Sequence, residues 1–283
     1  MSQGGRGQSD RLRQGVLVTT ARLVNLAVGF PKVTALVLIG ACGRIGFDVA
    51  AEGQADGGVD ASEPIDAPSL GPDDYVVRFT FDTLEVTNRR YADESGTRFA
   101  VCPSDLQCGT VAGGVFAGAA FFDETTELRV TSEPALETSS AYTVSFWMNV
   151  DVNESVACPV SKLVGSADGN SWQLCVNAPD RWTTYASSTG ATNDAQTTAT
   201  ATFDAWHHVA LRWDGTRSRI TIDGAVNADV AASSVMFDGQ DVILGFDIDS
   251  GTKVDYFTGY LDELRIYGRA LSDADVVQLA TPP

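Results

Sequence analysis

The chain has 283 residues, 44% of them hydrophobic, and a formal net charge of −18 from 37 acids against 19 bases. That length accommodates one large all-β domain plus extra segments, and the apolar share is enough for a full core. Such acidity excludes a nucleic-acid partner and disfavours direct docking on an anionic membrane surface.

The first 41 residues run against this balance. Arg6, Arg11, Arg13, Arg22 and Lys32 face only Asp10, so this segment is +4 and the remainder is −22. Behind the bases, Val33 to Ile39 form an apolar run. It is too short for the roughly 20 apolar residues a spanning helix needs. It reads instead as the hydrophobic region of a signal peptide covering residues 1–41. The stretch Ile39-Gly40-Ala41-Cys42 resembles a bacterial lipobox. The resemblance implies cleavage after Ala41 and acyl chains on Cys42, each buried CH₂ contributing about 0.8 kcal/mol of anchoring. The expected location is therefore exported and lipid-anchored, at the outer membrane, facing the periplasm or the cell surface.

Residues 42–74 follow as a tether. From Asp48 to Asp74 there are eight acids and no base, among many Ala, Gly and Pro. Such a segment buries too little apolar surface to offset its ordering entropy, and its charges repel one another. The folded domain is expected over residues 75–283, starting near Tyr75.

From there apolar residues alternate at period two, the signature of half-buried strands. Strands are predicted at residues 75–81, 141–151, 157–164, 171–177, 207–213, 217–223, 241–246 and 256–267. The clearest puts Tyr142, Val144, Phe146 and Met148 on one face. In the last, the same alternation puts Tyr260, Asp262, Leu264 and Ile266 together. The pairs Asp168-Gly169, Asp214-Gly215 and Asp223-Gly224 supply the positive φ that tight hairpins need. Only the end looks helical. Ser272 is a candidate N-cap with Asp275 three residues on, and Val276, Val277 and Leu279 are expected to pack. Many short strands with frequent turns indicate an antiparallel two-sheet sandwich or jelly roll.

Apart from Cys42, four cysteines remain: Cys102, Cys108, Cys158 and Cys175. An even number in an exported domain suggests two disulfides, with three connectivities open. Cys158 and Cys175 lie symmetrically about residues 166 and 167, so a hairpin centred there sets them opposite each other. Cys102 and Cys108 close a small loop. With two histidines in the chain and no C-x-x-C, a zinc site is not supported.

Four stretches resemble LamG-like, concanavalin A-like jelly-roll domains. They are Ala141 to Met148, Ser161-Lys162-Leu163, the Trp206-His207-His208-Val209-Ala210 to Asp214-Gly215 strand and turn, and Gly259-Tyr260-Leu261-Asp262-Glu263-Leu264-Arg265-Ile266-Tyr267 running on to Arg269-Ala270-Leu271-Ser272. With Phe81-Asp82 and Asp93-Glu94-Ser95-Gly96, the resemblance covers residues 75–280. It implies a jelly roll with a short C-terminal helix. Where relatives often continue S-G-N-G-x-x-G, Ser95-Gly96 here runs into Thr97-Arg98 and the cysteine-closed insert.

The resemblance also implies a calcium site at Asp82, Asp93 and Asp262, carboxylates suited to a hard cation. The alternative for these residues is structural. Asp262 would pin the closing strand, and Asp82 and Asp93 would make turns. A carbohydrate contact is expected at Trp182, with Gln173 and Asn177 on the polar face of the preceding strand. Trp147, Trp172, Trp206 and Trp213 sit inside strand patterns and read as core. His207 and His208, adjacent in a strand, point to opposite faces and cannot chelate one metal; one of them is expected to be a locally bonded core histidine.

Catalysis is not expected. Asp123-Glu124-Thr125-Thr126-Glu127 comes nearest to the E-x-D-x-x-E strand of related glucanases, but Phe121 stands where its first Glu should be. Asp262-Glu263 is an adjacent pair that must face opposite ways. The sequence therefore reads as a lipid-anchored envelope binding or adhesion module whose partner is a glycan or an envelope or extracellular protein. A structural envelope component, or a divergent carbohydrate-active enzyme, are the alternatives.

Overall fold

A computed structural model describes residues 71–103, 108–137, 140–151, 156–164, 169–177, 181–188, 191–200, 202–232, 237, 239–249 and 251–282. The predicted signal peptide, Cys42 and nearly all of the tether lie outside them. The described residues form strands β1 (Val77–Phe79), β2 (Arg90–Ala92), β3 (Phe99–Val101), β4 (Gly109–Gly114), β5 (Ala117–Phe122) and β6 (Leu128–Val130). Then come β7 (Tyr142–Val150), β8 (Ala157–Val164), β9 (Gly169–Asn177), β10 (Arg181–Ser188), β11 (Ala191–Thr200) and β12 (Trp206–Trp213). The last strands are β13 (Arg217–Ile222), β14 (Ala225–Ala231), β15 (Val242–Leu244), β16 (Asp247–Asp249), β17 (Thr252–Val254) and β18 (Gly259–Tyr267), followed by helix α1 (Asp273–Leu279).

Two antiparallel sheets result. The first runs β14-β13-β12-β7-β18-β5-β4, with β1 also paired to β18. The second runs β11-β10-β9-β8-β15-β6-β3-β2, and β16 and β17 form a small ribbon. This is the sandwich expected from the alternation. Val144, Phe146 and Met148 of β7, with Val209 and Leu211 of β12, face Trp172, Leu174 and Val176 of β9 across one core. Lys162, wholly buried on β8, satisfies its ammonium with the Gln240 carbonyl at 2.6 Å and the Ser132 hydroxyl at 2.8 Å. A buried charge without such partners would be expensive.

Local signals fix the connections. Asp223 and Gly224 both take positive φ, 50° and 79°, between β13 and β14, as a two-residue hairpin turn of the twisted kind requires. Ser272 and Asp275 form a capping box at α1. Val276 and Leu279 pack with Ala210, Tyr267 and Leu271, closing that end of the first sheet's outer face. Val277 does not pack as expected; it is 50% exposed, because it falls one position off the helix's buried stripe.

Both cysteine pairs form as the spacing suggests: Cys102–Cys108, and Cys158–Cys175 across the β8–β9 hairpin. The alternation fails in β18. The register shifts between Asp262 and Arg265, and Glu263 takes φ 53°. This bulge moves Leu261 into the core with Leu264 and Ile266, and turns Asp262 to the face it shares with Trp147. The expected grouping of Asp262 with Leu264 and Ile266 is therefore corrected.

Candidate functional site

Asp82, Asp93 and Asp262 each have an amide to hold. Asp93, 3% exposed, accepts from the Thr97 and Arg98 amides at 3.0 Å each and from the Ser95 hydroxyl at 2.8 Å. Asp82 accepts from the Gly118 amide at 2.7 Å. Asp262, fully buried, accepts from the Phe116 amide at 3.1 Å, and its carboxyl also draws on the amides of Val115 and Glu263. Asp82 and Asp262 thus grip the β4–β5 turn from two sides. A Cβ on Gly114 would stand 2.6 Å from Asp262 Oδ2 and 2.1 Å from the Gly118 carbonyl oxygen, so this approach needs glycine.

These three carboxylates do not fit one calcium site. Among the described residues, the one metal-capable grouping is Cys158, Asp247 and Asp255, and there the sulfur is committed to its disulfide. Asp262 has backbone amides on one oxygen and no protein partner on the other. Burial pushes its carboxyl up to about 7.

The expected carbohydrate residues are distributed as follows. Gln173 and Asn177 lie on β9, on the face opposite Trp172, Leu174 and Val176; Gln173 is 8% exposed and Asn177 half-buried. On β10, position 182 pairs in register with Val176, whereas Gln173 pairs with Tyr185 and Asn177 with Arg181.

His208 behaves as a core histidine on the outer face of the first sheet. It is fully buried, shares a 2.8 Å bond between Nε2 and Ser145 Oγ, and burial lowers its pKa to about 3, so the ring is neutral. His207 faces the other way and meets Asp223 at 2.7 Å. The Glu127 carboxylate, almost fully buried, is held in ion pairs by Arg129 and Lys253. Glu263 is held by Arg78 at 2.9 Å and by Arg265 at 2.6 Å.

The arrangement that sequence reading missed lies on the first sheet's outer face. Trp172 and Trp213 are core, as expected. Trp147 and Trp206 are not: they point out of the sandwich. Cross-strand pairing aligns Phe121, Tyr260, Asn149 and Trp206 in one row over β5, β18, β7 and β12. The row behind it is Asp262, Trp147 and His208. Phe121 and Tyr260 have ring centroids 5.2 Å apart, Tyr260 and Trp206 6.4 Å, and Trp147 meets the His208 ring edge-on at 5.4 Å. Phe121, Tyr260, Trp206 and Asn149 are partly exposed, and Trp147, Asp262 and His208 are buried. Period two in Ala141 to Asp151 carries this information, since Ser145, Trp147 and Asn149 alternate with the core set. An outward tryptophan is visible there once the core face is assigned.

A concavity of about 230 Å³ lies by β3 and β6 and is lined by residues including Arg98, Phe99, Val101, Thr131 and Glu133. The Arg90 guanidinium stacks 3.5 Å above the Phe99 ring centre beside it.

A family model described as the concanavalin A-like lectin/glucanases superfamily matches residues 122–277. No curated protein matches the chain. Among solved structures, it is similar to the binding domain of Paraclostridial mosquitocidal protein 1, with TM-score 0.59 and 15% identity over 74% of this chain and 52% of that one. It is also similar to the binding domain of botulinum neurotoxin DC in complex with SialylT, with TM-score 0.56 and 12% identity over 74% of this chain and 51% of that one. A third is domain 4 of AbnA, an extracellular arabinanase from Geobacillus stearothermophilus, in complex with arabinotriose. There the TM-score is 0.52 and the identity 18%, over 73% of this chain and 98% of that domain. The chain spans about half the length of the two toxin domains. At these identities the likeness is one of fold.

Proposed function

The chain belongs to the concanavalin A-like lectin/glucanase superfamily, and from that premise we propose that it is a non-catalytic binding module of the cell envelope, held there by a lipid on Cys42. The observation that carries the reading is the fold it shares with neighbours that are binding domains or carry a bound saccharide. A glycan or a protein is the partner class: one neighbour is in complex with arabinotriose, and another botulinum neurotoxin DC structure is in complex with synaptotagmin II.

The state of the carboxylates supports a non-catalytic role. Glycoside hydrolysis needs two carboxyl groups facing one bond, one of them free to attack or to activate water. Glu127 and Glu263 are each locked between two cations, and Asp262 is locked on backbone amides. The test is a glycan array probed with the full chain, run beside a pull-down from envelope extract, each with calcium and with chelator. Saturable binding to a glycan or a protein is the expected result. Hydrolysis of an array glycan, or no retention of either partner class, would overturn the reading; the latter would favour a purely structural component.

A further inference from the structure

We propose that the end of the first sheet's outer face remote from α1 is a binding site for a neutral oligosaccharide, with Trp206, Tyr260 and Phe121 as its stacking platform. The inference rests on the reading of the chain as a binding module and names the site and ligand class.

Register carries it. Strand pairing places Phe121, Tyr260, Asn149 and Trp206 side by side on four neighbouring strands, all on the outer face. Along β7 this row follows Thr143, Ser145 and Trp147, and Thr143 bonds the Arg269 carbonyl and the Leu271 amide beside α1. The helix thus covers one end of the face, and the rings line the other, partly exposed. Interior aromatic side chains are hidden because burial stabilises them. Three aromatic rings left partly in water in one row of a sheet face offer the contiguous apolar surface on which contact sites are built.

The polar atoms select the ligand class. Asn149 Oδ1 in the row, closed from solvent, has no protein hydrogen-bond partner, nor do the buried Trp147 Nε1, His208 Nδ1 and Asp262 Oδ1 in the row behind it, which a saccharide on the surface would reach only through water. Native structures leave few buried polar atoms unpaired, and a water or a bound group is one of the ways such atoms are satisfied. This set mixes a donor that cannot accept, the indole N–H, an acceptor that cannot donate, the amide oxygen, and a carboxyl that does either according to its protonation. A sugar suits both features. Its C–H face packs on rings through dispersion, and its hydroxyls, directly or through one water, both donate and accept. Neutrality follows from the surroundings. Asp151 and Asp204 stand at this end of β7, where the Asp204 amide bonds the Val150 carbonyl at 2.9 Å. They and the net charge of −18 repel uronates and sialylated glycans.

The test uses the full chain in detergent with a fixed probe set: arabinotriose, maltotriose, cellotriose and chitotriose, with sialyllactose as the anionic comparator. Affinity is read by calorimetry and intrinsic tryptophan fluorescence. At least one neutral trisaccharide is expected to bind and to shift the emission. Trp206→Ala and Tyr260→Ala should each weaken it about tenfold, the size of an aromatic hot spot. Trp206→Phe should restore most of the affinity, which separates stacking from misfolding. Trisaccharide binding untouched by the ring variants would overturn this site and leave the binding-module reading standing. Preference for sialyllactose, or ring variants that abolish capture of a protein but no sugar affinity, would overturn the ligand class alone. Failure of every saccharide and of the envelope pull-down would overturn both.

Discussion

Asp262 shows how one side chain can be read two ways from sequence and one way from structure. Its carboxylate ties β18 to the β4–β5 turn through backbone amides. Asp262→Ala is expected to cost roughly 1–3 kcal/mol by leaving those donors unpaired, and thermal melts will measure it. Asp262→Asn keeps an acceptor and should melt close to wild type. The pH dependence has a definite sign. The native carboxyl is raised to about 7 from its ordinary value of 3.8, so the folded state binds its proton more tightly than the unfolded chain. This contribution is fully present below the unfolded value and is lost as pH rises through the folded one. Wild type should therefore lose stability relative to Asp262→Asn between about pH 4 and 7, and a parallel pH profile for the two would refute the assignment. Calcium and chelator should leave both melts unmoved, because the carboxylates of Asp82, Asp93 and Asp262 are engaged separately. A chelator-induced drop in wild type alone would restore the calcium reading.

At the scale of elements, the β8–β9 hairpin is the best case of spacing becoming structure. Cys158 and Cys175, 17 residues apart, are bridged where symmetry set them opposite. A non-reduced peptide map should link these two, and Cys102 to Cys108. Replacing both Cys158 and Cys175 by Ser should lower stability by about 3 kcal/mol, the loop-closure value for a span of this size, as read by denaturant titration. The β4–β5 hairpin, by contrast, was not visible. Its strands read GTVAGG and AGAAFF; glycine and alanine are poor strand formers, so neither propensity nor alternation marks it. What specifies it lies elsewhere, in Asp82 and Asp262. Gly114→Ala should accordingly cost about 1–3 kcal/mol by forcing the turn off Asp262, measurable as a lowered melting temperature. Strands β10 and β11 escaped notice for a different reason. RWTTYASS and ATNDAQTTAT carry few apolar residues, because they lie at one margin of the second sheet. The bulge at Glu263 has no period-two signature, and it misassigned the face of Asp262. The tryptophans were misplaced by a related shortcut: being inside a strand does not say which side of the sheet a ring takes.

For the whole molecule, the sandwich, its closing strand and its capped helix were legible because each rests on a local rule. Alternation built β7 and β12, and Ser272 with Asp275 capped α1. The candidate site was not legible, since it is assembled by register between strands far apart in sequence: residue 121 beside 260, and 149 beside 206. The proposed anchor belongs to this scale as well. Metabolic labelling with a palmitate analogue should mark wild type and not Cys42→Ala; equal labelling of the two would refute the lipid anchor.

The Gly71 carbonyl accepts from Arg269 and the Pro72 carbonyl from Tyr267, at 2.5 and 2.6 Å. Tyr267 pairs with Thr143, at the opposite end of β7 from Asn149. The chain therefore enters the domain at one pole, beside the helix with which it leaves, and the aromatic row occupies the other pole, about 20 Å further along the strands. The same polarity governs any artificial attachment: a surface coupled through residue 71 or α1 lies at the pole away from the rings, whereas one coupled through the outer face of β5, β18 and β12 covers them.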